Sequence, residues 1–385
     1  MQKNLLIKHC KGKFMNTVCE MNECTGCMAC VNICPNKAIS IVDDLKSMNA
    51  VIDDASCVHC GACTKMCPNN YPVEKREQLS WNQGWAADNG IRKQGSSGGV
   101  ASSIIAAFIT DGGYVCSCVF DDGEFVFLCT DNIEEAKKFA GSKYVKSNPK
   151  KVYKEIKFLL ASGKKVLFVG LPCQVAGLLN YIPKMMQNDL YTIDLICHGT
   201  PSQKLFELYL NQNGIKLSDA KDVKFRQKSV MGLGVNGCSV SMAGTVDRYL
   251  ISFLKSLNYT DHCYKCQYAV EERVSDLTLG DSWGSEMANE LRQGLSLILC
   301  QSEKGKKMLE SSNLVLHQVD IQNALRNNGN LQHPSVAPKN RDSFFVAIHK
   351  GKKYNNLVMK IFPKQCILQI IKGYAIKLKL FTPKG

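Results

Sequence analysis

Two copies of the pattern C-x2-C-x2-C-x3-C-P constrain this chain more than any other feature. They read CTGCMACVNICP at residues 24–35 and CVHCGACTKMCP at residues 57–68, offset by 33 residues at every cysteine. Eight thiols in duplicated register, each run closed by proline, match a segment that holds two 4Fe-4S clusters, and a zinc or disulfide array is the weaker alternative. The short gaps let three thiolates reach three irons of one cube, while the fourth cysteine, after the chain turns away, reaches the other cube. Cys24, Cys27, Cys30 and Cys67 are therefore expected on one cluster, and Cys57, Cys60, Cys63 and Cys34 on the other. Gly26 with Ala29, and Gly61 with Ala62, let the backbone close on the inorganic core. NKAISIV and SMNAVID read as a short hairpin linking the halves. The segment offers no substrate pocket or general base, so relay of single electrons is its expected task. Cys10 and Cys19 fall outside the pattern and are not expected to be ligands.

With 385 residues the chain can bury a core and form two or three domains without disulfide stapling. Its 20 cysteines need another explanation. Thiols in metal-like runs, in a chain without an export signal, point to a reducing compartment, here the cytoplasm. The opening MQKNLLIKHCKGKF has only a three-residue apolar run, and no stretch approaches a membrane span. The net charge of +14 is lopsided: from Lys339 onward eleven Lys or Arg face a single acid, Asp342, which places +10 in the tail. The nearly balanced body, without interleaved aromatic and basic residues, argues against a nucleic-acid partner.

Further along, strands and helices alternate. KQGSSGGVASSIIAAFITDGG sets a loop, Gly95 to Gly99, before an apolar helix. Such a loop offers backbone N–H groups to a phosphate or a flavin edge. It follows no expected strand and is not G-x-G-x-x-G, so a tight turn is an equal reading. GYVCSCVF and EFVFLCT read as two strands around DDG, followed by a helix from about Asn132 to Phe139. Their Cys116, Cys118 and Cys129 read as free, buried small hydrophobes. KVLFVGLPCQVAGLL and YTIDLICHGTPSQKLFELYL place Cys173 and Cys197 just after two buried parallel strands, at the sheet edge where ligands gather in open α/β folds. DHCYKCQYA adds Cys263 and Cys266 at C-x2-C spacing, and SDLTLGDSWG another strand and turn. Four thiolates from three places suit a third metal site; a redox dithiol, half a zinc site or core cysteines remain equal readings. Cys238, Cys300 and Cys366 stay unassigned.

With these blocks in order, the chain resembles the coenzyme F420 hydrogenase/dehydrogenase beta-subunit family, in a form fronted by a two-cluster domain. The resemblance spans about residues 24–300 and rests on GSSGGV (95–100), AGSKYV (140–145), FVGLPCQVAGL (168–178), ICHGTPS (196–202), FRQK (225–228), HCYKCQYA (262–269) and SDLTLGDSWG (275–284). It implies an iron-sulfur flavoprotein oxidoreductase with FAD near the glycine-serine loop and the LPCQ turn. A third 4Fe-4S cluster is implied on Cys173, Cys197, Cys263 and Cys266. Flavin contacts are implied at Gly95, Ser96, Ser97, Gly98, Gly99, Ser142, Lys143, Tyr144, Pro172 and Gln174. Arg226 and Lys228 are implied to receive an acidic coenzyme or substrate, unless they are solvated surface charges. After FRQK the chain has SVMGLGV where the family would have an aromatic residue, which leaves the electron partner open.

The implied reaction moves electrons between ferredoxin or a deazaflavin coenzyme and a substrate. Some relatives lie in surface-polysaccharide pathways. A non-catalytic electron-transfer subunit serving a partner enzyme is the alternative. No catalytic acid or base is assigned; Asp281 and His198 sit in motif loops. The expected fold is an α+β ferredoxin-like dicluster domain followed by an α/β flavin- and iron-sulfur-binding domain. The expected divisions are a leader (1–20), the two-cluster domain (21–73), a connector (74–90), the first part of the flavin-binding region (91–165), the α/β domain (166–338) and a basic tail (339–385). In the tail, Ile367, Ile370, Ile371, Tyr374, Leu378 and Phe381 recur at helical spacing among lysines. A helix docked on the body is the preferred reading, with peripheral contact to an anionic membrane as the other.

Overall fold

The computed structural model describes residues 6–8 and 14–380, so Cys10 and Phe381 lie outside the described residues. A short antiparallel pair, β1 (Leu6–Lys8) and β2 (Phe14–Asn16), precedes the cysteine-rich segment. That segment carries two five-residue helices, Ala29–Ile33 and Ala62–Met66, each inside one cysteine run. Between them lies the expected hairpin, β3 (Ile39–Asp43) against β4 (Met48–Ile52).

The body is built on one eight-stranded sheet. Its strands are β5 (Ser80–Ala86), β6 (Tyr114–Asp121), β7 (Glu124–Thr130), β8 (Val166–Val169), β9 (Leu190–Leu195), β13 (Leu277–Asp281), β14 (Ser296–Cys300) and β15 (Leu314–Gln318), in the order β15-β5-β14-β13-β9-β8-β6-β7. A smaller three-stranded sheet of β10 (Val223–Gln227), β11 (Val230–Val235) and β12 (Cys238–Ser239) lies between β9 and β13 in sequence. The central strands β6, β8, β9 and β13 are parallel, and the flanking strands are antiparallel to their neighbours.

All four residues of β8 are buried, and its alternation splits them between two cores. Val166 and Phe168 pack with the helices Val152–Ala161 and Pro172–Tyr181. Leu167 and Val169 join Ile104, Ile105 and Leu309 from helices on the other side. A strand covered on both faces must be apolar throughout, which is why VLFV was legible as buried. The parallel direction sets the ends of β8, β9 and β13 along one edge. Cys173 and Cys197 follow the ends of β8 and β9, and Asp281 is the last residue of β13.

Two expectations are corrected. The segment 74–90, expected as a connector, supplies β5, which hydrogen-bonds on one side to β14 and on the other to β15. Its polar sequence SWNQGWA hid it, because the buried positions include Gln83 and Gly84 rather than an apolar run. A Cβ on Gly84 would meet the Val315 carbonyl oxygen at 2.3 Å, so the close strand pairing itself requires glycine there. Cys116 and Cys129 are not both free: they sit opposite each other across β6 and β7, with Cα atoms 4.1 Å apart, and form a disulfide. Cys118 remains a thiol.

The cysteine-rich segment does not stand apart from the body. A Cβ on Gly177, in the helix Pro172–Tyr181, would meet Cys27 Sγ at 2.9 Å. Asn32 Nδ2 donates to the Lys150 carbonyl at 2.7 Å, and Lys265 pairs with Glu23. Among the described residues no helix is long and apolar enough to cross a membrane.

Candidate metal centres

The first two centres are built from the crossed cysteine runs. Met28 and Gly61 precede the two short helices in the left-handed region, turning the chain between the second and third cysteine of each run. Cys24, Cys27, Cys30 and Cys67 are all buried, and Cys24, Cys30 and Cys67 share one cluster of side chains with Cys19 and Ile39. Burial pushes the Cys27 thiol up to about 12, with the Cys67 charge adding to the effect. Cys34 and Cys57 are the charges that act on Cys63. Cys67 thus shares a cluster with Cys24 and Cys30 of the other run, and Cys34 and Cys63 pack against it. This second group is outward: Cys60 is exposed, as is the neighbouring Val58.

Cys19, set aside in the sequence, is buried beside Cys24 and Cys67. Its hydrogen bonds to them push its own thiol well up while pulling both of theirs down, Cys67 to about 7. Only tertiary structure could show this contact, since β4 carries Ala50 between the runs to receive Val18.

The third group meets at the sheet edge. Cys173, Cys197, Cys263 and Cys266 line one cavity of about 240 Å³ together with Pro172, Lys146, His198, Thr200, His262 and Tyr268. Thr25 and Asn69, within two residues of Cys24 and Cys67, also line it, so this cavity and the buried first group are adjacent. Tyr268 packs in one cluster with Cys27, Cys173 and Cys266, and burial together with the charges of Cys173, Cys27, Cys266 and Cys67 raises its phenol well above the ordinary value.

The cavity is strongly shaped by polar groups. Lys146, 4% exposed, points Nζ at Cys173 Sγ over 3.7 Å. Burial alone would depress this ammonium, yet the surrounding thiols of Cys173, Cys263, Cys197 and Cys27 hold it above the ordinary lysine value. Burial raises Cys263 too, but His262 and Lys146 outweigh it and bring the thiol down to about 6. Thr200 N and Thr260 Oγ1 also approach Cys263 Sγ, at 3.4 and 3.5 Å. Cys266 is pushed up to about 12 by burial and by Cys263. The hydroxyl of Thr200 and Nδ1 of His262 are buried without a hydrogen-bond partner, consistent with a site shaped for a further group. Among the described residues no three ligating side chains converge on a single ion. Thiolates that each take their own iron of a cube need not converge in that way.

Arg273, 2% exposed, fixes the Cys266 loop to β9. Its guanidinium donates to the Tyr268 and Leu195 carbonyls and pairs with Asp194 at 3.1 Å. Nothing in the spacing of cysteines identifies Lys146 or Arg273.

The implied flavin contacts do not form one open cradle. Gly95, Gly98 and Gly99 close the loop on the protein itself: Cβ atoms there would meet Gly99 Cα at 2.8 Å, Gly84 O at 2.5 Å and Arg92 Cα at 2.9 Å. Ser97 Oγ donates to the Leu295 carbonyl. Lys143 Nζ caps three carbonyls, and Gln174 is fully buried, joining Leu171 N to Ser147. Pro172 belongs to the thiol cavity. Ser96, Ser142 and Tyr144 do converge: Ser96 Oγ accepts from Ser142 N at 2.7 Å, and Arg226 donates both to Ser96 O and to Tyr144 OH.

Arg226 and Lys228 are not solvated surface charges. Arg226 makes a two-pronged pair with Asp281 at 2.7 and 3.0 Å, and lies 5.9 Å from the Trp283 ring. Lys228 Nζ donates to the carbonyls of Arg92, Gly95 and Ser97, clamping the loop. Burial pulls His198, which lines the thiol cavity, below the ordinary imidazole value, and the Asp281 charge partly opposes this. The loop and the cavity are therefore neighbours along the same sheet edge.

Comparison with known proteins adds two family matches. Residues 163–322 match the family described as the C terminus of the coenzyme F420 hydrogenase/dehydrogenase beta subunit. Residues 23–71 match the 4Fe-4S dicluster domain. No match was found among curated proteins. A chain in a structure of the F420-reducing [NiFe] hydrogenase complex from Methanosarcina barkeri is similar at 16% identity, with a TM-score of 0.47, over 66% of this chain and 91% of that one.

Proposed function

We propose, for a chain that carries the C-terminal domain of the coenzyme F420 hydrogenase/dehydrogenase beta-subunit family behind a 4Fe-4S dicluster domain, that it is an iron-sulfur flavoprotein oxidoreductase with three clusters and FAD. In this reading it transfers electrons between a ferredoxin or deazaflavin-type carrier and a substrate. The observation that carries this reading is the run of three thiol groups. It starts at the exposed Cys60, passes the buried Cys24, Cys27, Cys30 and Cys67, and reaches the cavity of Cys173, Cys197, Cys263 and Cys266.

Each residue has a task in this arrangement. Cys24, Cys27, Cys30 and Cys67 would hold the inner cluster of the dicluster domain, and Cys57, Cys60, Cys63 and Cys34 the outer one. The cavity cysteines would hold a third, where Lys146 offsets their negative charge and Thr200 N and His262 support Cys263. FAD, when bound, supplies exchange between two-electron and one-electron steps. The residues placed to hold it are Ser96, Ser142, Tyr144 and Arg226, beside Trp283. Gly95, Gly98 and Gly99 serve by letting the loop close on β5 and β14, and Lys228 keeps it closed. The exposure of Cys60 and Val58 favours a second reading, in which the chain wires a partner enzyme and has no substrate of its own.

The test is anaerobic purification followed by iron, acid-labile sulfide and flavin determination on one sample. About twelve irons and one FAD per chain is the expected result. About eight irons and no flavin would remove both the third cluster and the flavoprotein reading. Turnover with a reduced carrier in the absence of any partner separates the enzyme from the wiring role.

A further inference from the structure

The C-terminal helix, Pro363–Lys377, is docked on the body by one face only. Cys366 is fully buried there, Gly373 is buried where a Cβ would meet the Met242 side chain at 2.5 Å, and Gln369 Oε1 accepts from Val246 N at 2.9 Å. A docked surface helix ordinarily turns its apolar stripe inward and its charges outward. This helix turns an apolar stripe outward along with its charges. Ile367, Ile371, Tyr374 and Leu378 follow one another at spacings of four, three and four, which puts them on one face. They are 49%, 59%, 57% and 66% exposed, and Leu368 and Leu380 extend the patch.

The surroundings of the stripe are basic. Lys360, Lys364, Lys377 and Lys379 are exposed around it, and no Asp or Glu occurs from residue 343 to the end of the sequence. An apolar ridge with a phenol at its centre and a lysine rim is the surface that enters the headgroup region of an anionic bilayer. A second copy of the chain is disfavoured, because a two-fold contact would bring two such basic tails face to face.

We propose that this helix docks the protein peripherally on anionic lipid surfaces, its outward stripe entering the interface and its lysines meeting the headgroups. Full-length protein, purified anaerobically, is sedimented with vesicles of phosphatidylcholine alone and with vesicles containing phosphatidylglycerol. Wild type is expected to sediment with the anionic vesicles at low salt, to be released by high salt and to ignore the neutral ones. The double variant Ile367→Glu/Ile371→Glu is expected to lose at least about tenfold in partitioning with iron content unchanged. Lys377→Glu/Lys379→Glu is expected to bind more weakly at low salt. The proposal is overturned if wild type stays in solution with both vesicles, or if the isoleucine variant binds as well as wild type. It is also overturned if light scattering finds a wild-type homodimer that the isoleucine variant dissolves, or if an acidic protein partner covers the stripe in its place.

Discussion

Lys146 Nζ lies 3.7 Å from Cys173 Sγ, a buried cation set against a cavity lined by four thiols. Such a charge stabilises whatever negative charge the cavity holds, and it does so strongly because neither partner is in water. Lys146→Met is therefore expected to lower the midpoint potential of the cluster at this site by roughly 50 mV or more. An EPR-monitored redox titration reads this directly, with iron content as the control. An unchanged potential would mean that Lys146 only fills space.

Cys197→Ala separates the third site from the dicluster domain. Iron should fall by about four per chain, while the EPR signals of the two N-terminal clusters persist. Loss of all iron together would show that the cavity is needed for the fold of the first centre rather than for a cluster of its own.

Gly177 is a point of close approach between the cysteine-rich segment and the body. Alanine suits a helix better than glycine, yet its Cβ would meet Cys27 Sγ at 2.9 Å and Cys27 Cβ at 3.0 Å. The clash should win: Gly177→Ala is expected to lose about 1–3 kcal/mol in anaerobic denaturation. It should also weaken the magnetic coupling between the inner cluster and its neighbour. A stabilised variant would indicate that the two units separate more readily than their contact suggests.

Asp281 is the partner that neutralises the buried Arg226. Asp281→Asn leaves that guanidinium without its carboxylate and should cost about 3 kcal/mol. Because Arg226 also holds Ser96 and Tyr144, flavin retention after gel filtration should fall with it. Full flavin retention would place FAD away from this cluster.

Burial, with the nearby charges of Arg92 and Arg226, holds Lys228 at about 8, below the ordinary lysine value. Between pH 8 and about 10 the unfolded chain then binds more protons here than the folded one, so stability from this group rises as pH increases. Solvent screening limits the gain to the order of 1 kcal/mol. Comparing thermal midpoints of wild type and Lys228→Met across that range isolates it: the rise should flatten in the variant, and parallel curves would refute it.

The sequence by itself determined the dicluster segment, because ligand spacing within a short loop is a local property and the eight cysteines carry it in two self-contained runs. It also determined the buried parallel strands at 166–169 and 190–195, since a strand covered on both faces must be largely apolar. The strand 80–86 was not legible, because its pairing rather than its composition makes it a strand. The outward face of the last helix was likewise not legible: periodicity shows that a helix has two faces but not which one a neighbour covers. Only the tertiary structure brought Cys173, Cys197, Cys263 and Cys266 into one cavity, placed Lys146 within it and bound Arg226 to Asp281. Those contacts join residues far apart in the chain, and their energies depend on burial and on charges that no local pattern records.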